Sequence, residues 1–125
     1  MSTLVHFHKD HCVVQYTGKV TIEETMDVHA EIAAYRSMNQ IQYLIADCRE
    51  LTEVDYSPND YDIHATISKH TARLLQRNIK AGIVVADEKA KQNIVKIVES
   101  LKSYPQGWIR KVFFDYDEAV AWASS

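Results

Sequence analysis

"YLIADCRELTEVDYSPND", residues 43–60, passes from an unbroken apolar run through a set of carboxylates to a serine–proline pair. Taken from Ile41 to Cys48, the apolar part has the length and composition of a strand covered on at least one face. The carboxylates that follow, Glu50, Glu53, Asp55, Asp60 and Asp62, read as a solvated loop from Arg49 to Asp62. Ser57, Pro58 and Asp60 read as a helix start: a serine oxygen accepts an orphan backbone N–H, and proline at the first helical position has no N–H to lose. "KAGIVVAD", residues 80–87, supplies another buried strand beyond that helix. Strand, helix and strand in this order make a parallel crossover unit.

The flanks extend the same alternation. "TLVHFH" and "HCVVQYT" surround Lys9-Asp10 and read as a hairpin, with Gly18 closing the second strand. Thr21 and Glu24 form a capping-box pair ahead of a helix whose apolar stripe is Ile22, Met26, Ala30 and Ala33. The helix from Pro58 to about Arg77 has Ile63, Ile67, Leu74 and Leu75 as its stripe. Asp87 caps a third helix carrying Ile94, Ile97, Val98 and Leu101, "SYPQG" ends it, and "RKVFF" makes the last strand. Asp115 and Glu118 start a closing helix that runs through Trp122. The order β-β-α-β-α-β-α-β-α predicts an α/β fold with a mixed, mostly parallel five-stranded sheet, the first strand antiparallel to its neighbour.

The 125 residues, 46% of them hydrophobic, suffice for one domain, residues 1–125, with a core that needs no metal or disulfide. A net charge of −3 and a pI near 6.0 leave no footprint for nucleic acid or anionic lipid. Apolar runs such as "GIVVA" are too short to span a bilayer, and "MSTLVHFHKD" has no signal-peptide apolar core. Cys12 and Cys48 form no CxxC pair, so a reducing, cytoplasmic setting is the expectation.

The chemistry-bearing side chains are scattered. On a two-residue turn His8 faces His11 and His6 shares their side, three imidazoles on one face; no partner ligand from another element accompanies them, so no metal is expected there. Lys69, Arg73 and Arg77 form a basic ridge near His64 and His70, but no nucleophile and orienting carboxylate accompany either histidine. Gly18, Gly82 and Gly107 are too dispersed to cradle a phosphate. The expectation is a non-enzymatic chain without catalytic residue or cofactor.

The order of elements, with "YLIADCRELTEVDYSPND" ahead of a helix and "KAGIVVAD" after it, resembles the SpoIIAA-like fold of anti-sigma-factor antagonists and sulfate-transporter cytoplasmic (STAS) domains, over nearly the whole chain. The resemblance implies an interaction or regulatory module. It places Asp47 at a strand end, Asp55 as the turn aspartate and Ser57 at the phosphorylated serine, with Tyr56 and Pro58 where that pattern has serine and glycine. A phosphate on Ser57 would sit beside Asp55, Asp60 and Asp62, so a structural cap is the preferred reading over a phosphosite. A protein partner would then meet the loop 49–62 and the following helix start, through Glu53, Asp55, Ser57 and Asp60. A homodimer is left open by the sequence. The related lipid-exchange (CRAL-TRIO) domains imply the alternative, a carrier or sensor of a small apolar ligand in a pocket near Tyr61, Ile63 and Trp108.

Overall fold

The computed structural model describes residues 3–35, 38–75, 79–101 and 108–125. Five strands, β1 (Thr3–Phe7), β2 (His11–Thr21), β3 (Tyr43–Asp55), β4 (Lys80–Val84) and β5 (Ile109–Phe113), lie side by side in chain order. The helices are α1 (Ile22–Ala34), α2 (Pro58–Leu75), α3 (Glu88–Leu101) and α4 (Tyr116–Ala123). β1 pairs antiparallel with β2, and every later pairing is parallel. This is the sheet that the alternation of elements predicts.

Because successive side chains of a strand point to opposite faces, each strand feeds two cores. On one face Cys12, Val14, Leu44 and Ala81 pack under Val28 and Ile32 of α1 and Ala72 of α2. Further along the same face, Cys48, Ile83 and Val85 meet Ile94 of α3. Val13, Tyr43, Ile45 and Val84 point the other way, against Ala119 and Ala123 of α4. Three helices therefore cover one face and α4 the other. The capping signals work as read: Thr21 and Glu24 close a reciprocal capping box, Asp87 accepts the Ala90 N–H at 2.8 Å, and Asp115 accepts the Glu118 N–H at 3.0 Å.

Three expectations fail, each for a physical reason. The segment Arg49–Asp55 is strand, not loop: β3 continues to Asp55, and β2 continues past Gly18 to Thr21 alongside it. The two strands stay paired by slipping register, since β3 advances from Asp47 to Glu50 while β2 advances from Gln15 to Thr17, and β3 then skips Thr52 between Gly18 and Lys19 of β2. Gly18, at φ 70°, bends β2 where an L side chain would be strained.

The second failure is the α1 stripe. Met26 is 46% exposed and Ala30 and Ala33 face solvent, while Ile22, Thr25, Val28, His29 and Ile32 are buried. The third is α2, where Ala65, Ser68, Thr71 and Ala72 are buried and Ile63 and Ile67 only half-buried. In both helices small residues, and polar ones such as Thr25, His29 and Thr71 that have internal hydrogen-bond partners, took the core face that apolarity alone would have given to others. The Leu74, Leu75 and Leu101 side chains and all of Arg77 lie outside the described residues.

Candidate functional site

The β2–β3 pair overruns its neighbours. Among the described residues β1 starts opposite Tyr16 and β4 ends opposite Asp47, so Thr17–Thr21 and Glu50–Asp55 form a two-stranded arm that leads straight into α1 and α2. Glu53, Asp55 and Ser57 are exposed along the end of this arm and Asp60 is half-buried in the first turn of α2. Asp55 Oδ2 lies 3.5 Å from Lys19 Nζ, a pair more than half exposed on both sides and so of little energetic weight. Ser57 occupies the residue before α2 as the sequence predicts, but the bond runs the other way: its backbone N–H donates to Asp60 Oδ2 at 2.8 Å. Asp60, rather than the serine hydroxyl, holds the helix start.

Asp47 does not end a strand, because β3 runs eight residues past it. It faces the α4 side, 8% exposed, gripped by Arg49 through Nε–Oδ1 at 2.9 Å and Nη2–Oδ2 at 2.8 Å, with the Arg49 guanidinium over the Tyr116 ring. These hydrogen bonds hold its carboxyl below the usual carboxylate range. The carboxylate is a structural ion pair, turned away from Ser57.

The hairpin histidines fall where the turn places them. His8 and His11 stack at 4.5 Å, His11 stacks on Tyr43 at 4.8 Å, and His11 Nδ1 meets Asp10 Oδ1 at 2.7 Å. Parallel stacked rings do not converge their nitrogens on one point. Among the described residues no group of three histidines, cysteines or acids could hold a metal ion.

A second cluster escaped the sequence reading. Thr25 and His29 of α1 face Tyr56 at the end of the arm and His64 and Thr71 of α2. The Tyr56 hydroxyl lies 2.7 Å from Thr25 Oγ1 and 3.0 Å from His64 Nδ1, and His29 Nδ1 lies 3.0 Å from Thr71 Oγ1. Tyr56 thus spends its hydroxyl inward, tying α1 to α2, at the position where the resembled pattern has a serine. His29 also stacks on Trp108 at 5.5 Å, and the Arg110 guanidinium sits 5.6 Å above the same indole.

All of these side chains except Thr71 line a cavity of about 100 Å³ between the sheet and helices α1, α2 and α3. Trp108 lines it as expected, but Tyr61 and Ile63 do not. Ligand pockets for drug-sized molecules begin at roughly 300 Å³, so this space is too small for a lipid tail. Burial drives His29 down to about 4 and His64 to about 3, so both imidazoles are neutral. The signal that would have found them is spacing: Ile22, Thr25, His29 and Ile32 follow helical periodicity, and Trp108, Arg110 and Val112 follow strand alternation.

No family model and no curated protein matches the chain. Solved structures do. An anti-sigma factor antagonist from Mycobacterium paratuberculosis superposes with a TM-score of 0.62 at 17% identity, over 98% of this chain and 93% of that one. An uncharacterized DUF3478-family protein with a SpoIIAA-like fold from Shewanella loihica PV-4 gives 0.60 at 17%, over 97% and 91%. The anti-sigma factor antagonist SpoIIAA in its unphosphorylated form gives 0.57 at 10%, over 98% of both chains. Likeness at this identity establishes architecture, and the architecture of this chain is the SpoIIAA-like α/β fold with its mixed five-stranded sheet.

Proposed function

We infer that this chain acts as one non-enzymatic regulatory domain of the cytoplasm, which engages a protein partner through the acidic rim formed by the end of β3 and the start of α2. Glu53, Asp55, Ser57 and Asp60 are its contact residues. The observation that carries the reading is their placement: an arm two strands wide projects past the sheet and ends in exposed carboxylates beside an exposed serine. Two of the superposable structures are anti-sigma factor antagonists, which supports a regulatory interaction as the use of this fold. The partner presents a basic face, because opposite potentials steer association and like charges oppose it. A homodimer closed on this rim would set carboxylates against one another, which favours a different protein.

Ser57 belongs to the rim as a contact, not as a phosphate carrier, since Asp55 and the helix-start carboxylate of Asp60 already surround it. The test is capture from host cytoplasm with the wild-type chain and with Glu53→Gln/Asp55→Asn as baits. The wild type retains a partner whose binding weakens as salt rises, and the double variant loses both the partner and the salt dependence. The same partner held equally by both baits would overturn the assignment of the rim.

A further inference from the structure

Arg110 is a cation without a counter-ion among the described residues. Its guanidinium has five N–H donors, and among the described residues one bond uses them, Nη1 to the Trp108 carbonyl at 3.1 Å. No ion pair among the described residues involves it. Enclosure is sufficient to pull the group down to about 10. The indole beneath it has a related deficit, for Trp108 is 8% exposed and its Nε1–H is buried with no acceptor. A half-buried guanidinium with one backbone bond and a buried indole N–H with no acceptor thus belong to two adjoining side chains that line the same small cavity. A buried donor left unpaired is costly.

The opposite wall carries lone pairs. Thr71 gives its proton to the Ile67 carbonyl at 3.0 Å, so its oxygen must accept from His29 Nδ1–H. Thr25 gives its proton to the Thr21 carbonyl at 3.3 Å, so Tyr56 donates to Thr25 and accepts from His64 Nδ1–H. In both neutral rings Nε2 is then the bare nitrogen. Two lone-pair nitrogens and apolar walls such as Leu44 and Ile94 oppose a second negative charge. An enclosed cavity of about 150 Å³ accommodates benzene, so about 100 Å³ suits a body of roughly four to six heavy atoms.

We propose that this cavity is a binding site for a small monocarboxylate, whose carboxylate is held by the Arg110 guanidinium and the Trp108 indole N–H while its short apolar body lies against Leu44 and Ile94. The site lies beneath the acidic rim, where Val54 and Tyr56 line it, and does not depend on the rim's role. Multivalent anions such as phosphate are excluded by the histidine wall, and long-chain fatty acids by volume.

The test uses the full chain, with propionate, its uncharged counterpart propionamide, and inorganic phosphate as probes. In a ¹H–¹⁵N spectrum the Trp108 indole cross-peak moves on addition of millimolar propionate and stays in place with propionamide or phosphate. Arg110→Met removes the charge while keeping an unbranched stem, and weakens propionate binding by about tenfold or more, the loss expected for one charge-assisted hydrogen bond. Propionate raises the melting temperature of wild type and leaves that of Arg110→Met unchanged. Trp108→Phe supplies an independent arm, lowering affinity while leaving a ring to fill the space. Equal response to propionate and propionamide, binding of propionate unchanged in Arg110→Met or in Trp108→Phe, or no response to propionate at all would each overturn the proposal.

Discussion

Asp60 anchors the start of the longest helix from three residues within it. The Ser57 N–H donates to its carboxylate at 2.8 Å, one half of a capping box, and the Asp60 N–H returns to the Ser57 carbonyl at 3.0 Å. Asp60→Ala is expected to cost about 1 kcal/mol of stability, within the range for lost helix caps. Ser57→Ala, whose hydroxyl makes no hydrogen bond among the described residues, should stay within about 0.5 kcal/mol, as exposed substitutions do. Urea denaturation of the two variants checks the order. A larger loss for Ser57→Ala would return the cap to the serine side chain.

At the scale of elements, two glycines set how strands and helix fit together. Gly82 of β4 lies under α4, and a Cβ there would stand 3.2 Å from the Ala119 Cβ, the Ala119 carbonyl oxygen and Ile45 Cδ1. The carbonyl belongs to a helix backbone and cannot swing aside. Gly82→Ala should therefore lift α4 from the sheet and cost about 1–3 kcal/mol, the usual range for overpacking. Gly18 differs, since a Cβ there meets nothing within 4 Å and the strain of its φ of 70° is the whole effect. Gly18→Ala is expected to cost about 1–2 kcal/mol, and Gly18→Asn less, because asparagine tolerates the left-handed region. Thermal melts of the three variants test this; equal losses for Ala and Asn at position 18 would rule out backbone strain as the cause.

For the whole molecule, the two buried histidines link folding to pH. Desolvation depresses His29 to about 4 and His64 to about 3, below the ordinary value of 6.5 they regain when unfolded. Between those values the unfolded chain binds more protons than the folded one, so stability is complete above pH 6.5 and is lost as pH falls toward 4. The slope is up to about 1.4 kcal/mol per pH unit for each histidine. His29→Asn and His64→Asn retain an N–H near the Nδ1 position without the titration. The double variant should flatten the stability profile between pH 6.5 and 5, where carboxylates contribute little. Urea midpoints across that interval measure it, and an unchanged slope would mean that other groups drive the acid sensitivity.

What the sequence determined by itself was local and periodic: the order of elements, the helix starts at Thr21, Asp87 and Asp115, the hairpin about Lys9-Asp10, and from these the mixed sheet. Such features follow from neighbours within a turn or a strand pair, where spacing alone decides. The tertiary structure decided the rest. Arg49–Asp55 is polar enough to read as loop, and it is strand because Thr17–Thr21 offers a ladder of backbone partners at a register no local pattern specifies. Thr25, His29, Ser68 and Thr71 are polar enough to read as surface, and they are buried because α1 and α2 fold against each other; for Thr25, His29 and Thr71, partners 31 or 42 residues away satisfy their hydrogen bonds. For those three the partner is a distant group, and the meeting is a property of the packed chain. The cavity with Arg110 and Trp108 arises in the same way, from four strands and three helices that share no local sequence.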